Sequence, residues 1–126
     1  MERLKENPSV GGITLNINKK NTNVILGDRY KQLWGSGYIT DRLCGLTFDI
    51  SPAAFCQVNH DTAELLYKTA LSLAEIKPHY TIADLFCGTG TIGLIFKKLS
   101  GAKKLIGIEI VPEAVRNARS NAKKNA

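Results

Sequence analysis

This sequence of 126 residues contains only three cysteines, and it shows no secretory signal and no long apolar run. The three cysteines, Cys44, Cys56 and Cys87, are too few and too scattered for a disulfide framework or a paired-cysteine zinc site. Free thiols and a charged N-terminus without an apolar segment behind it predict a cytoplasmic protein. No apolar run approaches the roughly 18 residues of a membrane helix. These absences exclude a small disulfide-stapled secreted protein and an integral helical membrane protein.

Acidic residues are also in the minority. Lysine and arginine number 17 against 11 aspartates and glutamates, which gives a net charge of +6. Residues 101–126 contribute six basic and two acidic side chains, a net +4 for that segment. A basic face attracts polyanions by neutralising phosphates and releasing counterions, although a solvated helix face explains the same count equally well. Nucleic acid is therefore a candidate partner.

The first half of the chain has the pattern of short strands. Residues 13–17 and 46–50 alternate apolar and polar side chains, and residues 24–26 form a short apolar run before a Gly-Asp turn signal. The spacing predicts an antiparallel meander of about four strands. We assign residues 1–58 to a small β subdomain.

The pattern changes after Asn59, which together with Asp61 is a candidate cap for a helix. The predicted order from here is helix, strand, helix, strand, helix; the strands cover residues 81–86 and 105–110, the middle helix ends near residue 99, and the last helix begins at Pro112. A strand–helix–strand unit implies parallel strands with a right-handed crossover. The fold class is therefore α/β, and residues 59–126 form the first half of a Rossmann-like domain.

A glycine motif lies between the first of these strands and its helix. Gly88, Gly90 and Gly93 form G-x-G-x-x-G, and Glu109 follows nineteen residues after Gly90, at the end of the next strand. We expect Gly88 to allow the tight turn, Gly90 to let a ligand approach the backbone, and Gly93 to let helix and strand pack closely. A carboxylate at Glu109 can accept both hydroxyls of a ribose. In this context the motif predicts a nucleoside cofactor site.

The choice of cofactor depends on Asp84, four residues before Gly88. A dinucleotide places its pyrophosphate on the helix N-terminus, where bare amides and the helix dipole stabilise it. S-adenosylmethionine has no phosphate but carries an ammonium and a sulfonium. A carboxylate at the end of the first strand suits those cations and repels a pyrophosphate, so Asp84 favours S-adenosylmethionine.

Three segments together resemble the RNA uracil-5-methyltransferases, which methylate uracil in 23S ribosomal RNA or transfer RNA. They are residues 51–59, residues 84–94 and the run Gly107-Ile108-Glu109; the most specific part is Phe55-x-Gln57-Val58-Asn59 followed by Ala63-Glu64-x-x-Tyr67. The resemblance implies a Rossmann-like S-adenosylmethionine-dependent methyltransferase fold and an RNA partner. It also implies a cofactor site lined by Gln57, Phe86, Thr91 and Glu109, with close backbone from Gly88 and Gly90. Many relatives have asparagine where Thr91 stands.

The family mechanism uses a cysteine thiolate that adds to uracil C6, and a base that later removes the C5 proton. In relatives both groups come after the point that matches residue 126, and none of the three cysteines here matches the nucleophile. We therefore expect no catalytic residue and no metal ligand in this chain, and no activity from it alone. The Leu33-Trp34-Gly35 region resembles most the bacterial relatives that act on ribosomal RNA, and this resemblance implies ribosomal rather than transfer RNA as the substrate. A dinucleotide-dependent oxidoreductase fragment and a non-enzymatic RNA-binding module remain alternatives.

Overall fold

The computed structural model describes all 126 residues and contains four helices and six strands. In chain order these are α1 (Glu2–Lys5), β1 (Gly12–Ile17), β2 (Arg29–Gly35), β3 (Ile39–Leu43), β4 (Leu46–Ile50), α2 (His60–Ala74), β5 (Thr81–Asp84), α3 (Thr91–Ser100), β6 (Lys104–Gly107) and α4 (Pro112–Lys124). The strands pair as β1–β2 and β3–β4, both antiparallel, and as β5–β6, which is parallel. The α/β class and the parallel pair confirm the sequence prediction.

The predicted four-stranded meander is wrong, because β1–β2 and β3–β4 are separate two-stranded sheets. Residues 24–26, predicted as a strand, belong to the loop between β1 and β2. The amide of Asn16 both donates to the Gly27 carbonyl and accepts from the Gly27 N–H, each at 2.8 Å, and Asn18 donates to the Val24 carbonyl at 2.6 Å. These side chains bind backbone groups that a strand would otherwise pair, so they stabilise a loop instead.

A two-residue turn at Cys44 and Gly45 joins β3 to β4. Both residues have positive φ, 50° and 81°, which is the conformation that matches the twist of a tight hairpin. The N-terminal part of α2 holds this hairpin: the Cys44 N–H donates to the Glu64 carboxylate, and the His60 ring bonds the Arg42 carbonyl at 2.6 Å. The hairpin is therefore fixed to the first helix of the second half of the chain.

The hydrophobic core joins the two halves of the chain. Its buried side chains come from β3–β4, from α2 and from α3: Leu43, Leu46, Phe48, Ile50, Ala63, Tyr67 and Ile95. Because this cluster extends across residue 58, the β3–β4 hairpin packs with the helices, whereas β1–β2 contributes nothing to the cluster. The division into residues 1–58 and 59–126 stays a prediction.

The helix α3 connects β5 to β6 and lies against both strands. A Cβ on Gly93 would come within 2.9 Å of a Leu105 methyl group and 3.0 Å of the Asp84 carboxylate. A larger residue would force the Leu105 and Asp84 side chains to shift, so the structure supports the packing role predicted for Gly93.

The residue that follows α2, Glu75, has the left-handed conformation, with φ 45° and ψ 40°. This conformation strains any side chain with a Cβ and favours glycine. We expect Glu75→Gly to raise the free energy of unfolding by about 1 kcal/mol, measured by urea titration. Glu75→Ala keeps the strain and should give no gain; an equal gain from both variants would contradict this explanation.

The pH dependence of stability should include a contribution from His60. Its pKa is raised above the usual 6.5, first by the hydrogen bond to the Arg42 carbonyl and then by the Asp61 carboxylate. A raised folded-state pKa stabilises the protein below the unfolded pKa, and the stabilisation is lost as the pH rises through the folded value. The urea midpoint should therefore fall on going from below pH 6.5 to slightly alkaline pH. His60→Asn should reduce this fall, and an undiminished fall in that variant would contradict the contribution of His60.

Candidate cofactor site

The bend between β5 and α3 lies at the carboxyl ends of the two parallel strands. Pairing continues beyond the strands, because Ile108 N–H donates to the Asp84 carbonyl at 2.8 Å and Cys87 N–H donates to the Ile108 carbonyl at 3.0 Å. Gly88 has φ 52°, and nothing lies within 4 Å of where its Cβ would be. The bend therefore has a fixed backbone and an open side at Gly88.

Glu109 turns its carboxylate towards this bend. One oxygen accepts from the Gly88 N–H at 3.1 Å and the other from the Val111 N–H at 2.8 Å. The hydrogen bond from Val111, followed by that from Gly88, lowers the pKa of Glu109 below 4.5, so the group is ionised at neutral pH. An ionised carboxylate offers about four acceptor positions, and two remain for a ligand.

Asp84, at the end of β5, also faces the start of α3. Its Oδ2 accepts from the Gly93 N–H at 3.1 Å, and its other oxygen makes no hydrogen bond within the chain. The residue thus satisfies one of the free amides in the first turn of α3, because Gly90 at the helix start has no side chain to do so. This capping role adds to the ligand role predicted from the sequence, which stays a prediction.

Gly90 and Thr91 lie on the inner side of the bend. Gly90 has φ 81°, and a Cβ on it would meet Ala118 of α4 at 3.3 Å rather than open space. Thr91 places its hydroxyl 2.9 Å from the hydroxyl of Thr89, which is buried. The structure therefore gives Gly90 a packing role against α4; close approach of a ligand to its backbone stays a prediction.

The remaining predicted site residues are exposed. Phe86, two residues after the end of β5, is 92% exposed, and Ile110, beyond the end of β6, is exposed to the same extent. Gln57 lies in the exposed segment between β4 and α2 and makes no hydrogen bond with the bend. The structure thus brings Asp84, Gly88 and Glu109 together and leaves the predicted contact of Gln57 with this group as a prediction.

The three cysteines are free, and each is half-buried. Burial is the main cause that raises the pKa of Cys44 and of Cys87 above 9.0, so both are thiols rather than thiolates at neutral pH.

No group of three or more histidine, cysteine or acidic side chains is placed to hold a metal ion. None of the four helices is both long and apolar enough to cross a membrane.

A second concave surface lies between the β1–β2 hairpin and the start of α4. This cavity of about 740 Å³ is bordered by Tyr30 and Gln32 on the hairpin and by Pro112 and Arg116 on α4. Sequence reasoning missed it, because the two elements that border it are far apart in the chain and no local pattern indicates their proximity. Sequence reasoning also missed Asn121, a fully buried residue of α4 whose amide reaches the bend.

The fold and the bend define a class. A parallel strand–helix–strand unit with a glycine bend and an acidic residue after the second strand is typical of Rossmann-like nucleoside-cofactor domains. A family model described as a methyltransferase domain matches residues 76–126. The fold of this part of the chain is therefore that of a partial Rossmann-like methyltransferase domain, as predicted.

The relatives of the chain are RNA methyltransferases. An uncharacterized RNA methyltransferase of Oceanobacillus iheyensis is 44% identical, with 98% of this chain and 27% of that protein covered. Another, from Clostridium acetobutylicum, is 47% identical over 92% of this chain and 25% of its own length. These findings confirm the resemblance to RNA methyltransferases: the chain is a homologue of these proteins and spans about a quarter of their length.

One solved structure extends the comparison. The crystal structure of Pyrococcus abyssi tRNA (uracil-54, C5)-methyltransferase in complex with S-adenosyl-L-homocysteine matches with a TM-score of 0.72 at 29% identity. The match covers 91% of this chain and 28% of that one. The similarity thus includes the β hairpins as well as the parallel unit.

Proposed function

We propose that this chain forms part of the cofactor-binding unit of an RNA methyltransferase, and that the bend at Gly88 together with Glu109 holds S-adenosylmethionine. The observation that carries the proposal is the placement of the ionised Glu109 carboxylate at the bend, fixed by the amides of Gly88 and Val111. A carboxylate that is fixed, ionised and only half-buried is prepared to accept hydrogen bonds from a ligand.

The ribose of the cofactor accounts for the free acceptor positions of Glu109. Two neighbouring hydroxyls can donate to one carboxylate, and the open space at Gly88 leaves room for the nucleoside beside it. The exposed side chains of Phe86 and Ile110 flank the same ends of the strands and offer apolar surface for the adenine ring. Gly88, Glu109 and Phe86 are among the site residues predicted from the sequence, whereas Ile110 is not.

Asp84 supports S-adenosylmethionine over a dinucleotide. It accepts from the Gly93 N–H, one of the first-turn amides of α3 that a pyrophosphate would use. Its remaining oxygen, with no partner in the chain, would attract the ammonium or sulfonium of S-adenosylmethionine and repel a phosphate. The charge at the strand ends therefore opposes the dinucleotide alternative.

For the substrate we propose uracil C5 in RNA. The proposal is supported by the names of the relatives and by the uracil-C5 specificity in the name of the matching Pyrococcus abyssi enzyme. The thiol state of Cys44 and Cys87 agrees with a methyl transfer whose nucleophile is neither of them. We propose ribosomal rather than transfer RNA because the Leu33-Trp34-Gly35 region resembles bacterial relatives of that kind. Methylation assays with each RNA, using a protein as long as the relatives, test this choice.

A ligand titration of the chain tests the cofactor proposal. S-adenosylhomocysteine should shift the amide NMR resonances of Gly88 and Val111, whose N–H groups bind Glu109, and should release heat in calorimetry. NAD should do neither at the same concentration. Tighter binding of NAD would favour an oxidoreductase fragment. No response to either ligand, with salt-dependent RNA binding, would favour a non-enzymatic RNA-binding module.

A further inference from the structure

The face of α4 that carries Asn117 and Asn121, together with Asn125 directly after the helix, lies along the free edge of β4. The Asn125 amide accepts from the Thr47 N–H at 2.9 Å and donates to the Thr47 carbonyl at 2.8 Å. The Asn121 amide does the same with Asp49, at 2.8 and 3.1 Å. Four residues of a helix rise about 6 Å and two residues of a strand span about 6.7 Å, so the two repeats match. The asparagine side chains thus form the hydrogen bonds with the edge of β4 that the backbone of a neighbouring strand would form.

Asn121 makes one contact that Asn125 lacks. Its Nδ2 also donates to the carbonyl of Thr89, between the glycines of the bend, at 3.0 Å. Asn121 is 0% exposed, and Thr89 is also buried. A buried amide whose polar atoms are all bonded holds its partners firmly, because leaving any of them unpaired costs free energy. The Thr89 carbonyl is therefore held in one orientation from behind the bend.

The orientation of this carbonyl matters at the front of the bend. Thr89 is linked directly to Gly88, whose N–H binds the Glu109 carboxylate. Rotation of the peptide groups in the bend would move the Gly88 amide and with it one of the two anchors of Glu109. Ala118 of the same helix lies against Gly90 and limits movement of the next residue of the bend.

We propose that Asn121 is a positioning residue for the cofactor site: it fixes the bend for cofactor binding and joins it to the β4 edge. This inference rests on the proposed function, because the bend is the part that would hold S-adenosylmethionine. Because Asn121 is fully buried, we expect no direct contact between it and the ligand. Its effect is expected on the affinity for the cofactor, separately from its effect on stability.

Asn125 provides a matched control. Asn121→Ala and Asn125→Ala each remove one amide that bonds both backbone groups of a β4 residue, but only Asn121→Ala releases the bend. We expect Asn121→Ala to weaken S-adenosylhomocysteine binding about tenfold, and Asn125→Ala to leave it within about twofold. Both are measured by calorimetry at a temperature at which circular dichroism shows each variant fully folded. Equal affinities of the two variants would overturn the proposal.

Two further measurements separate this inference from the cofactor assignment. Amide hydrogen exchange at Gly90, whose N–H donates to the Cys87 carbonyl at 2.7 Å, should accelerate in Asn121→Ala and not in Asn125→Ala, with no ligand present. Unchanged exchange would refute the positioning role whatever the cofactor is.

If Asn121→Ala does not fold, the unmodified chain still decides: S-adenosylhomocysteine should shift the side-chain amide resonances of Asn121 and not those of Asn125. If the chain binds the ligand and the side-chain amide resonances of Asn121 do not shift, the proposal is contradicted.

Discussion

Replacing Glu109 by alanine is expected to weaken S-adenosylhomocysteine binding about a hundredfold. Hydrogen bonds to a charged group contribute about 1.5–3 kcal/mol each, and Glu109 has acceptor positions for two ribose hydroxyls. The substitution also removes the partner of the Gly88 and Val111 amides, which then bind water. Calorimetric titration of both proteins with S-adenosylhomocysteine gives the ratio of dissociation constants.

Glu113 supplies the matched control, because it is also a glutamate next to the start of α4 but pairs with Arg116 on the helix surface. Glu113→Ala should leave the affinity within about twofold, as expected for an exposed ion pair. Glu109→Gln should behave almost as Glu109→Ala does. The glutamine NH2 group is a hydrogen-bond donor, and it would face either the Gly88 N–H or the Val111 N–H, which are also donors. Wild-type affinity in Glu109→Gln would show that the ionised carboxylate is not needed.

The pH dependence of the same titration follows from the lowered pKa of Glu109. The hydrogen bonds that lower it favour the charged form, so the group stays ionised from neutral pH down to below 4.5. Its contribution to stability and to binding is present above 4.5 and is lost as the pH falls through the lowered value. Binding by wild type should therefore be constant from pH 8 to pH 5, and a loss within that interval would contradict this state of Glu109.

The parallel unit and the residues of its bend follow from local patterns. The run of apolar residues before Gly88, the glycines and Pro112 each act within a few residues, so strand, turn and helix starts are readable from the sequence alone. The position of Glu109 follows from the same logic, because parallel pairing brings the carboxyl ends of adjacent strands together. The strands themselves are shorter than predicted, ending at Asp84 and Gly107.

Contacts between polar side chains and distant backbone could not be predicted. Asn16 and Gly27 are eleven residues apart, and their mutual hydrogen bonds turn an apolar run into a loop. Asn121 lies on a helix of low hydropathy whose polar residues are expected to face solvent, yet it is buried against Asp49 and Thr89. In each case a side-chain amide forms the hydrogen bonds that a backbone group would otherwise form. The periodicity of the sequence does not indicate which distant backbone group the amide will bind.

Phe48→Ala is expected to lower the free energy of unfolding by about 3–5 kcal/mol. Phe48 is 0% exposed and lies in the cluster that joins β4 to the helices α2 and α3. Removing its ring leaves a cavity that close-packed neighbours cannot fill, and domains of this size have only about 5–15 kcal/mol of stability in total. Urea titration followed by circular dichroism should show a midpoint far below that of wild type.

Two other phenylalanines test whether burial, rather than ring loss, causes this effect. Phe55 is 80% exposed and Phe86 is 92% exposed, so their replacement by alanine should change stability by no more than about 0.5 kcal/mol. Phe86→Ala should nevertheless weaken S-adenosylhomocysteine binding, because the exposed ring is proposed to cover adenine. A loss of stability in Phe55→Ala as large as in Phe48→Ala would mean that the core is not where the β3–β4 hairpin meets the helices.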